Sequence, residues 1–345
     1  KRQTLPILSN VLLEVDESSV KFTATDLESE VSTTAIISDF KSGGMTTAPA
    51  RKLSDLCRLL PDAAEIHFFL DGTDLKIESG PGKYNLTTLP SEDFPSFESE
   101  DSPTEINISS EGLKSLINST SFAMGNDSWR DYLSGLNLII DDKTITAVAT
   151  DGSRLAVANS DLNEAVPVSI SGIVPKKSIN EIGKLVSDVK ENIIIKLGPT
   201  SISVYAGGTN FVSKLIEGKF PDHEQVIPFG ESSLMKINRK EFSESLSRVS
   251  VLSGGDHKGV RFMTEENTIN ISANNPDKER GEESLECSYN GENIDIAFNI
   301  NYFQEILSSI NSQEVEINFF GSERSCLITE EDNKSLKYVV MPLLV

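Results

Sequence analysis

The chain has 345 residues, with 31 Lys and Arg against 53 Asp and Glu, for a formal net charge of −22. That length exceeds what one hydrophobic core usually serves and suits several modules of roughly 100 to 125 residues. No apolar run approaches the roughly 20 residues that cross a bilayer, so a membrane-spanning helix is not expected, and the acidic balance argues against a surface covered with tight phosphate contacts.

Taken in chain order, strand-like runs at 10–15 and 20–26 are followed by a helix at 50–60, whose Leu53, Leu56, Cys57 and Leu60 fall on one face. Strands at 65–70, 74–78 and 82–89 come next, the first two joined at Asp71-Gly72. A Ser-, Pro- and acid-rich stretch, 91–104, reads as a linker. A strand at 105–109 then leads into a helix with Leu113, Leu116, Ile117 and Phe122 on one side, and strands at 135–141 and 144–150. Thr150 to Leu155 reads as a strand-to-turn corner. A strand within 165–174 ends at Pro175, which opens a helix burying Ile179, Ile182, Leu185 and Val186. Strands at 192–197, 201–206 and 210–215 follow, then a second linker near 221–233. The remainder gives a helix at 239–251 with Phe242, Leu246 and Val249 inward, strands at 259–264 and 268–275, a helix at 301–310, and strands at 314–320, 325–329 and 336–343.

This order repeats. Asp26, Asp151 and Asn275 end equivalent strands 125 and 124 residues apart, Pro49 and Pro175 precede equivalent helices 126 apart, and Phe94-Pro95 and Phe220-Pro221 are also 126 apart. The chain therefore reads as α+β: three tandem copies, each of two helices and a mainly antiparallel sheet, divided as 1–100, 101–226 and 227–345. Shifting Glu105 to Met124 back by one repeat places that strand and helix about twenty positions ahead of Lys1, so the first copy is expected to continue upstream of the given sequence.

Catalytic motifs are not found. His67, His223 and His257 share no metal-ligand spacing, and Cys57, Cys287 and Cys326 are isolated within apolar patterns, as buried thiols of a reducing cytoplasm would be. The Gly pairs 43–44, 207–208 and 254–255 lie in no phosphate-binding motif. Asp26, Asp71, Asp74 and Asp151 are the only basis for a metal-dependent hydrolase, and turn chemistry explains them more simply. A scaffold binding only proteins is a third reading. Basic residues exceed acidic ones on three helices: Arg51 and Arg58 around Asp55, Lys176, Lys177 and Lys184 around Glu181, and Arg239, Lys240 and Arg248. That is a weak nucleic-acid signal, which an ordinary solvated face also accounts for. The apolar tail from Tyr338 to Val345 is either a last core strand or the wall of a groove.

Ordered motifs along the whole chain carry a resemblance. They include Gln3-Thr-Leu-Pro-Ile-Leu8, Thr25-Asp-Leu-Glu28, Pro49-Ala-Arg-Lys52, Thr88-Leu-Pro90 with Asp93-Phe-Pro95, Ala149-Thr-Asp-Gly-Ser-Arg-Leu-Ala156, Phe220-Pro-Asp222, Ala273-Asn-Asn-Pro276 and Tyr338-Val-Val-Met-Pro342. Together they resemble the beta subunits of bacterial DNA polymerase III, the sliding-clamp family. The resemblance implies a DNA-clamp fold, a head-to-tail homodimeric ring around duplex DNA without sequence readout, no catalysis, no cofactor and a cytoplasmic location. It implies that the polymerase III core, the clamp loader and other proteins with a clamp-binding motif dock in one hydrophobic groove. By motif match, Arg2, Arg51, Arg58, Tyr132, Lys176 and Lys177 would face DNA. The groove would take Leu133, Thr150, Gly152, Arg154, Leu155, Pro221, Val226, Ser325, Val339, Val340, Met341, Pro342 and Leu343. The ring contact would pair Lys52, Tyr84 and Leu86 with Val251 and Leu252 of a second chain. Ser153, Gln225 and Leu344 depart from the family's commoner His, Arg and basic residues, leaving a more apolar groove.

Overall fold

The computed structural model describes residues 5–97, 102–126, 129–254, 259–331 and 333–343. The first copy contains β1 (Asn10–Val15), β2 (Ser19–Thr25), β3 (Ser29–Ile36), β4 (Gly44–Pro49), α1 (Ala50–Leu59), β5 (His67–Asp71), β6 (Asp74–Ser79) and β7 (Gly82–Thr87). The second contains β8 (Thr104–Ser109), α2 (Ser110–Thr120), β9 (Gly135–Asp141), β10 (Thr144–Thr150), β11 (Arg154–Asp161), β12 (Ile170–Pro175), α3 (Lys176–Val186), β13 (Asn192–Leu197), β14 (Ser201–Ala206) and β15 (Thr209–Lys214). The third contains β16 (Ser233–Asn238), α4 (Arg239–Ser250), β17 (Gly259–Glu265), β18 (Thr268–Asn274), β19 (Arg280–Glu286), β20 (Ser288–Tyr289), β21 (Asp295–Asn299), α5 (Ile300–Ser309), β22 (Glu314–Phe319), β23 (Cys326–Thr329) and β24 (Leu336–Val340).

Dense contacts gather the chain into two units, 1–107 with 184–215 and 108–183 with 216–345, which do not follow the three copies. The cause is pairing between copies. In the first unit, β3 of copy one pairs antiparallel with β15 of copy two, making one sheet in the order β4-β1-β2-β3-β15-β14-β13-β8. In the second, β11 of copy two pairs with β24 of copy three, giving β12-β9-β10-β11-β24-β23-β22-β16-β20. Two smaller sheets end the series: β5-β6-β7 in the first unit and β19-β18-β17-β21 in the second. Each copy thus lends a strand to its neighbour, while β7 and β19 remain at sheet edges.

The helices are placed by their apolar faces and their caps. Leu53 of α1 is buried against Leu13, Val20, Leu75 and Ile77, with Leu56 and Cys57 beside it, and burying one such leucine is worth about 1.5–3 kcal/mol. Ser109 caps α2 by accepting the Gly112 N–H at 3.0 Å. Asn238 caps α4 through the N–H groups of Lys240 and Glu241, and Asn299 caps α5 through that of Asn301; such caps contribute about 1 kcal/mol each. Around α4 and α5, Phe242, Phe262, Phe298 and Phe303 pack with ring centroids 5.1–6.2 Å apart, mostly tilted or edge-on, the arrangement aromatic quadrupoles favour.

Sequence periodicity locates β9 and β10 at their observed bounds, and it misses β3, β4, β11, β16, β19, β20 and β21. The expected helix at 50–60 ends at Leu59, that at 239–251 ends at Ser250, and the last strand ends at Val340 rather than 343. Phe122 falls after α2, in a short 3-10 turn over Ser121–Ala123.

Candidate functional site

The three repeated Asp/Asn positions are turn residues. Asp26 Oδ1 accepts the N–H groups of Glu28 and Ser29, Asp151 Oδ1 those of Ser153 and Arg154, and Asn275 Oδ1 that of Glu279. They close the bends from β2 to β3, β10 to β11 and β18 to β19 respectively, the local role Asx side chains favour. Asp71 is held by Lys76, and Asp74 accepts from Asn85 at 3.0 Å. Lys76 supplies the hydrogen bond and charge that lower the Asp71 carboxyl from its ordinary pKa. Among the described residues no group of three or more His, Cys, Asp or Glu is placed to hold a metal.

The Thr before the turn acts alike in the first two copies, Thr25 Oγ1 donating to the Ser29 carbonyl and accepting the Leu27 N–H, and the middle copy adds two arginines. Thr150 Oγ1 donates to the Arg154 carbonyl and accepts the Gly152 N–H. Gly152 has φ +93°, a left-handed conformation that suits glycine, and Arg130 Nη1 stands 2.8 Å from where a Cβ would lie. Arg130 Nη2 also donates to the Asp151 carbonyl at 3.2 Å. The Arg154 guanidinium turns inward: Nε donates to Asp151 Oδ2 at 3.1 Å, Nη2 to the Phe122 carbonyl at 2.7 Å, and Nη1 pairs with Glu305 on α5. It lies 4.4 Å from the Tyr302 ring and 5.4 Å from that of Phe122. Burial raises the Tyr302 phenol above its ordinary pKa, with the Asp151 charge adding to the shift. With 9% exposure, Arg154 positions the turn rather than offering a free charge.

An apolar floor adjoins this turn. Val148, Leu155, Val157 and Val339 form a buried cluster, with Ile139, Phe220, Ile227 and Leu327 packed around it. Leu133 and Val340 are buried as well, whereas Val226 and Met341 are 39% and 43% exposed. Ser325, Pro342 and Leu343 are half-buried. Beyond β24 the chain stays tied down: Met341 N–H donates to the Ser153 carbonyl at 2.9 Å and Leu343 N–H to the Ala297 carbonyl at 2.8 Å. In the segment after Phe220, Asp222 accepts from Glu224 N–H and Gln225 Nε2. Burial lowers the pKa of neighbouring His223 despite the opposing pull of Glu224 and Asp222. Phe220 and Ile227, next in sequence to Pro221 and Val226, thus bring this segment onto the cluster that holds Leu155 and Val339.

The basic residues divide into two kinds. Arg51 and Arg58 have side chains 96% and 75% exposed and share Asp55 at 3.9 and 4.0 Å. Lys176 Nζ donates to Asn126 Oδ1 at 2.8 Å, Lys177 is exposed and Tyr132 is half-buried. Arg239 instead caps the end of α5, donating to the Leu307 and Ser312 carbonyls, and Arg248 forms a two-pronged pair with Glu283. The basic excess on α4 is therefore structural. Arg2 lies outside the described residues.

At the free edges, Tyr84 is 38% exposed on β7, Leu86 is half-buried beside it, and Lys52 is exposed on α1. Val251 is 78% exposed past the end of α4, while Leu252 packs on Gly281 of β19. Sequence reasoning passes over Trp129, 94% exposed, and Phe229, 82% exposed; neither belongs to a periodic pattern.

Comparison with known proteins agrees along the full length. Family models of the DNA polymerase III beta subunit match at residues 1–98 (N-terminal domain), 107–222 (central domain) and 224–344 (C-terminal domain). The beta sliding clamp of Pseudomonas aeruginosa is 38% identical over 99% of this chain and 94% of its own length. That of Escherichia coli is 34% identical over 99% and 93%. A crystal structure of the DNA polymerase III subunit beta from Pseudomonas aeruginosa superposes with a TM-score of 0.96 at 37% identity, covering 99% of this chain and 94% of that one. The Caulobacter crescentus pol III beta structure gives 0.93 at 31% identity, covering 100% and 94%. A Pseudomonas aeruginosa sliding clamp bound to griselimycin gives 0.95 at 37% identity, with the same coverage.

Proposed function

The chain belongs to the DNA polymerase III beta subunit family, the sliding clamps, and from that membership we propose that two copies close head to tail into a ring that holds duplex DNA and tethers the replicative polymerase. As a member it is a non-catalytic processivity factor. The observation that carries the ring is the edge-to-edge pairing of successive copies: β3 with β15, then β11 with β24, leaving β7 and β19 without a neighbouring copy. Exposed edges invite a further strand, and a second chain arranged head to tail supplies one at each end.

The charge balance suits a ring that must slide. At a net charge of −22, a few basic side chains such as Arg51, Arg58, Lys176 and Lys177 act on phosphates within a Debye length of about 8 Å. Few close contacts release few counterions, so DNA is retained by enclosure rather than by affinity. The apolar cluster of Leu155 and Val339, with Met341 exposed beside it, is read as the base of a docking groove for a short hydrophobic motif on the polymerase core, the clamp loader and other replication or repair proteins. The griselimycin complex of the related clamp supports a ligand-accepting site in this fold. No helix among the described residues is long and apolar enough to cross a membrane, and the place of work we infer is the cytoplasm.

Sedimentation equilibrium, paired with loading onto nicked circular DNA, tests this reading. A dimer that stays on the circle and leaves when the circle is linearised is expected. A monomer at micromolar concentration, or a loaded protein indifferent to linearisation, would overturn it.

A further inference from the structure

Phe229 leaves 82% of its surface in water, on a segment that starts from the apolar cluster at the base of the proposed groove. Two residues earlier Ile227 packs against that cluster. One residue later Gly230 has φ +103°, a left-handed conformation that suits glycine. The chain therefore passes from the groove base to an uncovered aromatic within two residues.

Arg324 holds this aromatic in place. Its Nη2 donates to the Phe229 carbonyl at 3.2 Å, and its guanidinium lies 5.4 Å from the Phe320 ring. Phe320 and Arg324 belong to the connection between β22 and β23, strands in which Asn318 stands opposite Leu327. That register, carried two residues further, sets Phe320 opposite Ser325, one of the positions assigned to the groove. Leu327 packs on the groove cluster, and Cys326 pairs with Val340 just before Met341. The same connection thus adjoins both the groove and Phe229.

The other described arginines of the third copy are used within the chain. Arg239 donates to two carbonyls, and Arg248, Arg261 and Arg280 pair with Glu283, Asp295 and Glu282. Arg324 is exposed, makes its one hydrogen bond to Phe229, and pairs with no carboxylate among the described residues. A guanidinium with donors to spare, set between two aromatic residues, suits a carboxylate that stands next to an apolar side chain. Arginine and aromatic residues also dominate the energetics of binding surfaces. Glu231 and Glu323 are exposed on the same two connections, so a run of acids is repelled and a single carboxylate is favoured.

We propose that Phe229, Phe320 and Arg324 extend the docking groove and bind the sequence that flanks a partner's hydrophobic motif, an apolar side chain covering Phe229 and one Asp or Glu meeting Arg324. This rests on the groove reading above and adds what ranks partners that share the motif. An extended chain advances about 3.3 Å per residue, so a flank of about two to four residues reaches the extension. Partners whose flank lacks these two groups are held by the groove alone.

The test reads fluorescence anisotropy of labelled synthetic peptides on the full chain. The probes are a hydrophobic clamp-binding core alone, the core extended at either end by Gly-Leu-Glu-Gly, and the same extensions with Lys in place of Glu. On the wild type, the Glu extension at one end is expected to bind about tenfold more tightly than the core. Arg324→Glu should leave the affinity for the core unchanged, which also reports an intact fold, and turn the preference from the Glu to the Lys extension. Phe229→Ser should reduce the gain from both extensions alike. Glu extensions that gain nothing at either end, or a preference for Glu over Lys that survives Arg324→Glu, would overturn the extension and leave the groove standing. A core peptide that fails to bind the wild type would overturn the groove reading, and the extension with it.

Discussion

Met341 donates its backbone N–H to the Ser153 carbonyl at 2.9 Å, so the segment after the last strand is fastened to the turn that carries Thr150, Gly152 and Arg154. Two residues later Leu343 is fastened to Ala297. Both walls of the proposed groove are thereby held by main-chain contacts rather than by side chains alone. Removing Met341 to Val345 leaves β24 in its sheet and takes away one wall. The expected outcome is a loss of binding to a hydrophobic clamp-binding peptide of at least about a hundredfold, with the sedimenting species unchanged. Unaltered peptide affinity would remove the groove assignment.

Arg154 is the second prediction. Its replacement by Met strips Asp151 Oδ2 and the Phe122 carbonyl of a buried donor and half-exposed Glu305 of its partner, a loss of about 1–3 kcal/mol. Chemical denaturation should show a lowered midpoint for the unit that includes the middle copy's turn. Lys in its place should recover only part, because an ammonium cannot serve three directions in a plane. Full recovery by Lys would mean that charge alone matters.

A third concerns Arg51, Arg58 and the Asp55 they share. Reversing either arginine to Glu should weaken the direct affinity of the protein for linear duplex DNA and lessen its salt dependence, the slope falling by about one for every phosphate no longer neutralised, while retention on closed circles is unchanged. Asp55→Ala should act in the opposite direction on affinity by releasing both guanidinium groups. Identical affinities for all three variants would take α1 off the DNA-facing surface.

A fourth follows from Glu283, whose carboxyl the Arg248 hydrogen bonds hold below its ordinary value. A depressed folded-state pKa means that the pair's contribution is present above the unfolded value of about 4.3 and is lost as pH falls through the folded one. Arg248→Gln should therefore melt below the wild type at neutral pH and converge with it under acid conditions. A gap in melting temperature that persists below the folded pKa would contradict the assigned cause. NMR titration of Glu283 should show its pKa raised in the variant.

Much of this was legible because it is local. The Asp26, Asp151 and Asn275 turns, the β9–β10 hairpin and the inward faces of α1 and α4 all follow from short-range pattern. Among the strands that escape the pattern are β3, β11 and β19, each placed by a neighbour outside its own hairpin or left at an edge. β11 is buried on both faces from Arg154 to Ala158, so it shows no polar–apolar alternation. β3 and β19 are rich in Ser, Thr and Glu, and resemble loops until their partners are known. The inward turn of Arg154 was illegible for a related reason, since its partner Glu305 comes 151 residues later.

The pairing of β11 with β24 sets a schedule as well as a shape. About 175 residues separate the end of one from the start of the other, which at bacterial synthesis speeds is roughly ten to thirty-five seconds. During that interval the middle copy emerges from the ribosome with β11 as an open edge, displaying the kind of unpaired main chain that the proposed ring closure would use. Newborn chains on one messenger are then poised to borrow each other's β24, and the order of emergence decides whether a copy completes its own sheet or a neighbour's.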